Sequence, residues 1–240
     1  MSVPEVRLRL LNDAPLRPER DYVLYWMTSF RRARSNFSLQ RAVEHARALD
    51  KPLVVFEPLR IGYPFASDRL HAFVLQGMEE NQKRFERSPV HYFPFVETEA
   101  GAGKGLLAAL CARACVLVGD DWPSFFVPQM QAAAAKAVDV RFEVVDSNGL
   151  YPMRHTTRVF TTAHSFRTHL QKVLPPHLLE MPQEDPLKGV KLRALASPPR
   201  AVTARWKPAS AAMLEASTVA SLPIDHSVGV VPLVGGSAAV

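Results

Sequence analysis

Two short segments carry the residues best suited to chemistry. Thr28-Ser29-Phe30-Arg31-Arg32-Ala33-Arg34, followed closely by Asn36, offers hydroxyls, three guanidiniums and an amide. Gly119-Asp120-Asp121-Trp122-Pro123 offers two adjacent carboxylates. Guanidiniums such as those of Arg31 and Arg34 form charge-assisted bonds to anionic groups. An Asn36 amide can donate to or accept from a ring edge. Two readings stand side by side. In one, Arg31, Arg34 and Asn36 hold an anionic ligand while Asp120 and Asp121 face them across a crevice. In the other, the arginines pair with Asp120 and Asp121 and tie the two loops together without a ligand. Placed after a strand and before a helix, Asp120 and Asp121 could also cap that helix and favour its dipole.

Other candidate motifs fail on spacing. Glu99-Ala-Gly-Ala-Gly-Lys-Gly105 suggests a phosphate-binding loop, but Thr98 stands at the first anchor glycine and Gly105 at the Ser/Thr position. It reads as a glycine-rich turn before a helix. No G-x-G-x-x-G follows the first strand, which argues against a dinucleotide held in the usual way. No G-x-S-x-G elbow is present, which argues against an α/β-hydrolase. Cys111 and Cys115 lie four apart in an apolar stretch, the setting of small buried thiols rather than of a redox or metal pair. His164 and His169 are five apart, a spacing that does not stack two ligands on one helix face.

The elements that position the two loops follow from apolar periodicity. Apolar runs at Tyr22–Met27, Pro52–Glu57, Val90–Phe95, Cys115–Gly119 and Val140–Val145 read as five strands. Between them, Arg34–Leu49 (with Ser35 as N-cap), Ser67–Arg87, Lys104–Ala114 and Pro123–Ala137 read as helices. This alternation predicts α/β architecture: a Rossmann-like, doubly wound, five-stranded parallel sheet with strand order 3-2-1-4-5. Such sheets bind ligands beyond the carboxyl ends of their strands, at the switch point. Here that point lies between the loops after the first and fourth strands.

The 240 residues are 48% apolar and 22% charged, close to soluble globular averages. This excludes a wholly disordered chain, a collagen and a disulfide-stapled miniprotein. No run of about 18 apolar residues is present, so no spanning helix is expected. The charged N-terminus does not read as a signal peptide, and a cytoplasmic setting is expected. Residues 18–150 form the α/β domain. Residues 151–240 read as one helix (Val159–Val173) and a Pro-rich interdomain connector, with nine prolines from 175 onward and a short helix near 209–216. Net charge is +6, and the basic excess falls mostly after residue 150, which permits phosphate contact. The tail's apolar residues Leu222, Ile224 and Val228 are expected to need a further domain, leaving residues after about 175 poorly held without it.

Several segments in order resemble the N-terminal half of a DNA photolyase, most closely the class II branch. They are Tyr25-Trp26-Met27 with Arg31, Arg34, Asn36 and Leu39; Asp68-Arg69 with Phe73 and Gly77-Met78-Glu79-Glu80; and Val118-Gly119-Asp120 with Phe126 and Pro128. Val145-Asp146 with Pro152, Ala163 with Arg167, and Trp206 with Leu222-Pro-Ile-Asp225-His226-Ser227-Val228 complete the series. Phe30 departs from the class II loop, which has an acidic residue or glutamine there.

The resemblance implies an antenna domain for a light-harvesting chromophore, a deazaflavin or a folate. The switch-point loops place it against Thr28, Ser29, Phe30, Arg31, Arg34, Asn36, Asp120 and Asp121. The resemblance further implies an intact flavoprotein, a carbon–carbon lyase, that splits cyclobutane pyrimidine dimers in DNA with light. FAD and the flipped lesion would be held by a helical domain in cis, whose motifs do not occur in these residues. The chain alone is therefore expected to bind no FAD and to be inactive. A cryptochrome-type photoreceptor would share this half. An unrelated Rossmann-like nucleotide- or flavin-binding module would share the fold.

Overall fold

The apolar runs become the strands of one sheet in a computed structural model that describes residues 2–195 and 197–237. The strands are β1 (Leu8–Leu10), β2 (Tyr22–Trp26), β3 (Leu53–Leu59), β4 (His91–Val96), β5 (Ala114–Asp120) and β6 (Phe142–Val145). Their spatial order is β1-β6-β5-β2-β3-β4. The five parallel strands lie in the predicted order. The sheet has six strands rather than five, because β1 pairs antiparallel with β6, Leu8 opposite Val145. Leu-Arg-Leu is too short a run to announce a strand, and β1 also carries the domain upstream of residue 18.

Strand pleating sends alternate residues to opposite faces. Helix α1 (Phe37–Ala48) covers Val23, Tyr25, Val55, Val116 and Val118 on one face. Helices α3 (Leu106–Cys111) and α4 (Val127–Ala137) cover Leu24, Trp26, Phe56, Leu117 and Phe142 on the other. Helix α2 (Asp68–Phe85) sends Phe85 into the first cluster. Cys111 and Cys115 are buried and free, and burial pushes both thiols up in pKa.

Some local expectations need correction. The cap of α1 is Asn36, which accepts from Ser38 N and Leu39 N, and not Ser35, which sits at φ 46°. Asp120 and Asp121 do not cap α4, which begins only at Val127. The tail is also better held than its prolines suggest. Helix α5 (Ala163–Val173) has no buried residue, but helix α6 (Arg200–Arg205), which the sequence did not announce, buries Val202. Trp206 donates its indole N–H to Ala102 O at 3.0 Å. Leu214, Val219 and Leu222 pack on Leu59, Ile61, Leu75, Met78 and Val96. Asp225 pairs with Ser67 in a parallel bridge. The α/β domain itself supplies the surface that a further domain was expected to supply. Val228 alone of the three named tail residues is exposed.

Glu143 on β6 is buried between Arg41 and His45 of α1. Burial pushes its pKa up, but hydrogen bonds from His45 and Arg41 and the Arg41 charge outweigh it, bringing the value from 4.5 down to about 2. A carboxylate with a depressed folded pKa stabilises the fold above its unfolded pKa, and that contribution is lost as pH falls through the folded one. The expected contribution is about 3 kcal/mol. Urea unfolding should show stability falling from near the ordinary value of 4.5 toward about 2. In Glu143→Gln that fall should be shallower. An unchanged pH profile in the variant would contradict this assignment.

Candidate functional site

The loop after β2 is built around one carboxylate. Asp120, at the end of β5 and fully buried (0% exposed), accepts from Thr28 N, Ser29 N and Phe30 N at 2.8, 2.7 and 3.0 Å. Tyr25 donates its hydroxyl to Asp120 at 2.7 Å and accepts from Asn36 Nδ2 at 3.0 Å. Three successive amides aimed at one anion form a nest of the kind that binds phosphate in other α/β proteins. Here the protein's own carboxylate fills it. Asp120 thus takes the position that an external anion would occupy in such a nest.

The candidate arginines do not pair with Asp120 or Asp121. Arg31 donates to Glu57 at 3.1 Å, and to Thr28 O and Pro58 O. Glu57 is fully buried and also accepts from Asn81 Nδ2 and the Tyr92 hydroxyl. Arg34 is exposed and lies 3.7 Å from Glu184. Asp121 is held by Arg9 at 2.7 Å and Arg154 at 2.8 Å. Burial pushes its carboxyl up, but the hydrogen bonds and charges of these two arginines outweigh it and hold the pKa below the usual range. Asn36 is buried, with its amide donating to Tyr25, Phe30 O and Arg32 O and its oxygen capping α1. Of the eight candidate residues, Ser29 alone lines the cleft described next. Thr28 contributes a buried hydroxyl that has no hydrogen-bond partner among the described residues.

That cleft, of about 590 Å³, lies over the carboxyl ends of the strands between the loops after β2, β3 and β5. Its lining is aromatic: Tyr63 and Phe65 from one side, Trp122, Phe125 and Phe126 from the other, with Leu70 of α2 at its edge. Tyr63 lies 5.5 Å from Phe126, and Phe30 meets Trp122 edge-on at 6.0 Å. Phe65 and Phe125 are 77% and 78% exposed and adopt φ of 71° and 57°. Left-handed backbone is costly for bulky residues and clusters at ligand clamps. The expectation drawn from strand order singled out the loops after β2 and β5 and named mainly their polar and charged residues. The aromatics of Trp122-Pro-Ser-Phe125-Phe126 and Tyr63-Pro-Phe65 were the signal it did not use.

A mostly parallel, doubly wound sheet with an aromatic cleft over its switch point defines a Rossmann-like α/β domain. Comparison with known proteins gives that class its relatives. The chain is 24% identical over 175 residues to the deoxyribodipyrimidine photo-lyase of Methanothermobacter thermautotrophicus, covering 71% of this chain and 38% of that protein. It is 24% identical over 204 residues to the deoxyribodipyrimidine photo-lyase of Arabidopsis thaliana, covering 78% of this chain and 39% of that protein. These matches support a photolyase-family relationship. The chain spans about two-fifths of the length of the curated relatives it matches. No family model matches. A solved universal stress protein in complex with cAMP covers 53% of this chain and 99% of its own at 15% identity and a TM-score of 0.33, too slight a likeness to carry an argument. Among the described residues no helix is long and apolar enough to cross a membrane.

Proposed function

We propose that this chain is the antenna-bearing α/β portion of a photolyase-like DNA repair flavoprotein. Its role is to hold a planar light-harvesting chromophore, a deazaflavin or a folate. The observation that carries the reading is the aromatic cleft at the β2–β5 switch point, in a chain whose curated relatives are photolyases. The cleft's volume falls within the roughly 300–1,000 Å³ of ligand sites. Tyr63, Trp122 and Phe126 supply faces and edges for a flat ring system. Ser29 supplies a hydroxyl to its lining. Asp120 fixes the Thr28–Phe30 backbone, while Arg31 and Asn36 hold that loop to Glu57 and to α1. Asp121 anchors the start of the opposite loop, and Arg34 remains exposed for an anionic tail. The chromophore supplies absorption in the near ultraviolet or blue, which no side chain offers.

In the same reading, residues after 150 lead to a helical domain in cis that holds FAD and takes a pyrimidine dimer out of the DNA stack. We place the protein in the cytoplasm, where free thiols such as Cys111 and Cys115 stay reduced. Residues 1–240 alone are then expected to bind no stoichiometric FAD and to repair no DNA. Equilibrium dialysis tests the antenna assignment with methenyltetrahydrofolate and a deazaflavin as probes. One of them should bind to residues 1–240, and Trp122→Ala and Leu70→Arg should each weaken it by about tenfold or more. Failure of both probes to bind, or binding indifferent to both substitutions, would overturn the assignment.

A further inference from the structure

A second cleft, of about 490 Å³, lies on the α3–α4 side of the sheet. Its walls include Trp26, Phe56 and Phe95 from the sheet and Met130 from α4, and the glycine-rich turn at 101–105 forms one rim. Three features give it chemical character. Trp26 is 5% exposed, and its indole N–H has no hydrogen-bond partner among the described residues. A buried donor left unpaired costs about 1–3 kcal/mol, so an acceptor here would be rewarded. Glu97, also buried, accepts from Ile61 N and Gly103 N at 3.2 Å each. A carboxylate has about four lone-pair sites, so acceptor capacity remains. Lys104 and Arg60 line the cleft as exposed cations, and neither has an ion-pair partner among the described residues.

We infer that this cleft is a second small-molecule site, taking a planar lactam heterocycle with an anionic tail, of the nucleoside monophosphate class. The lactam edge supplies a carbonyl for the Trp26 N–H and an N–H for Glu97. The ring lies among Phe56, Phe95 and Met130. The anion meets Lys104 and Arg60 as a charge-assisted pair. A fatty acid would satisfy the cations but leave the indole unpaired. A magnesium-bound triphosphate does not fit, because the turn lacks both phosphate-loop anchors, with Thr98 and Gly105 in their places. The inference is independent of the antenna assignment, since the two clefts have no lining residue in common.

Two-dimensional amide spectra resolve the indole N–H groups of the three tryptophans, Trp26, Trp122 and Trp206, and Trp26→Phe assigns the first. Titration of residues 1–240 with GMP and with UMP should shift the Trp26 resonance saturably for at least one of them and leave that of Trp122 in place. Lys104→Glu, a surface change that leaves the core intact, should weaken this binding about tenfold, and the uncharged nucleoside should bind as poorly to the wild type. An unmoved Trp26 resonance with both nucleotides would overturn the inference. So would a shift confined to Trp122, or equal affinity in Lys104→Glu.

Discussion

Replacing Asp120 with alanine is expected to lower the unfolding free energy by about 4 kcal/mol, measured by urea denaturation. The carboxylate is fully buried and is the shared acceptor for three consecutive amides and the Tyr25 hydroxyl. Its removal strands these donors, and each buried, unsatisfied donor costs about 1–3 kcal/mol before relaxation and water entry. Asp120→Asn keeps one accepting oxygen for the amides but replaces the oxygen facing Tyr25 with a donor. Its expected cost is about 2 kcal/mol. The ordering of the two variants matters as much as their size. A loss below about 1 kcal/mol for alanine would show that the loop after β2 is held by other contacts, the Arg31–Glu57 pair first among them.

Trp206→Ala should cost a similar amount, about 4 kcal/mol, although residue 206 lies far beyond the last strand. The ring is 7% exposed within the cluster that includes Leu106 and Leu110, and its N–H is bonded to Ala102 O. Truncating a buried tryptophan costs about 3–5 kcal/mol. Leu214→Ala, at a residue that is 0% exposed, should cost about 3 kcal/mol by the same rule. If the tail were a loose connector, both substitutions would leave the melting temperature unchanged. Brief digestion with trypsin makes the same distinction, since a packed tail protects the bond after Arg205 while a loose one is cut there.

The sheet was legible because its strands are buried on both faces and read as continuous apolar runs, as Tyr22–Trp26 and Ala114–Asp120 do. Strand order followed from the handedness of crossovers. β1 was not legible, because three alternating residues give no periodic signal. The packing of Leu214 and Leu222 was not legible either. Proline density reports where a chain cannot be helical, not whether its apolar residues find a groove. At the candidate site, strand order singled out the loops after β2 and β5, and residue type drew attention to their polar side chains. Asp120 and Asn36 are polar residues fully used in holding the backbone, and the surface they shape is aromatic. Sequence offers no direct way to tell a carboxylate that faces a ligand from one that fills a nest of amides.

Hydrogen–deuterium exchange tests the central claim most directly, by comparing residues 1–240 with and without the chromophore probe that binds. A chromophore in the switch-point cleft should slow exchange around Tyr63–Phe65 and from Trp122 to Gln129, the two segments that face each other there. The turn at 101–105 should be unaffected. Protection confined to that turn, or no protection with the probe bound, would contradict the antenna assignment.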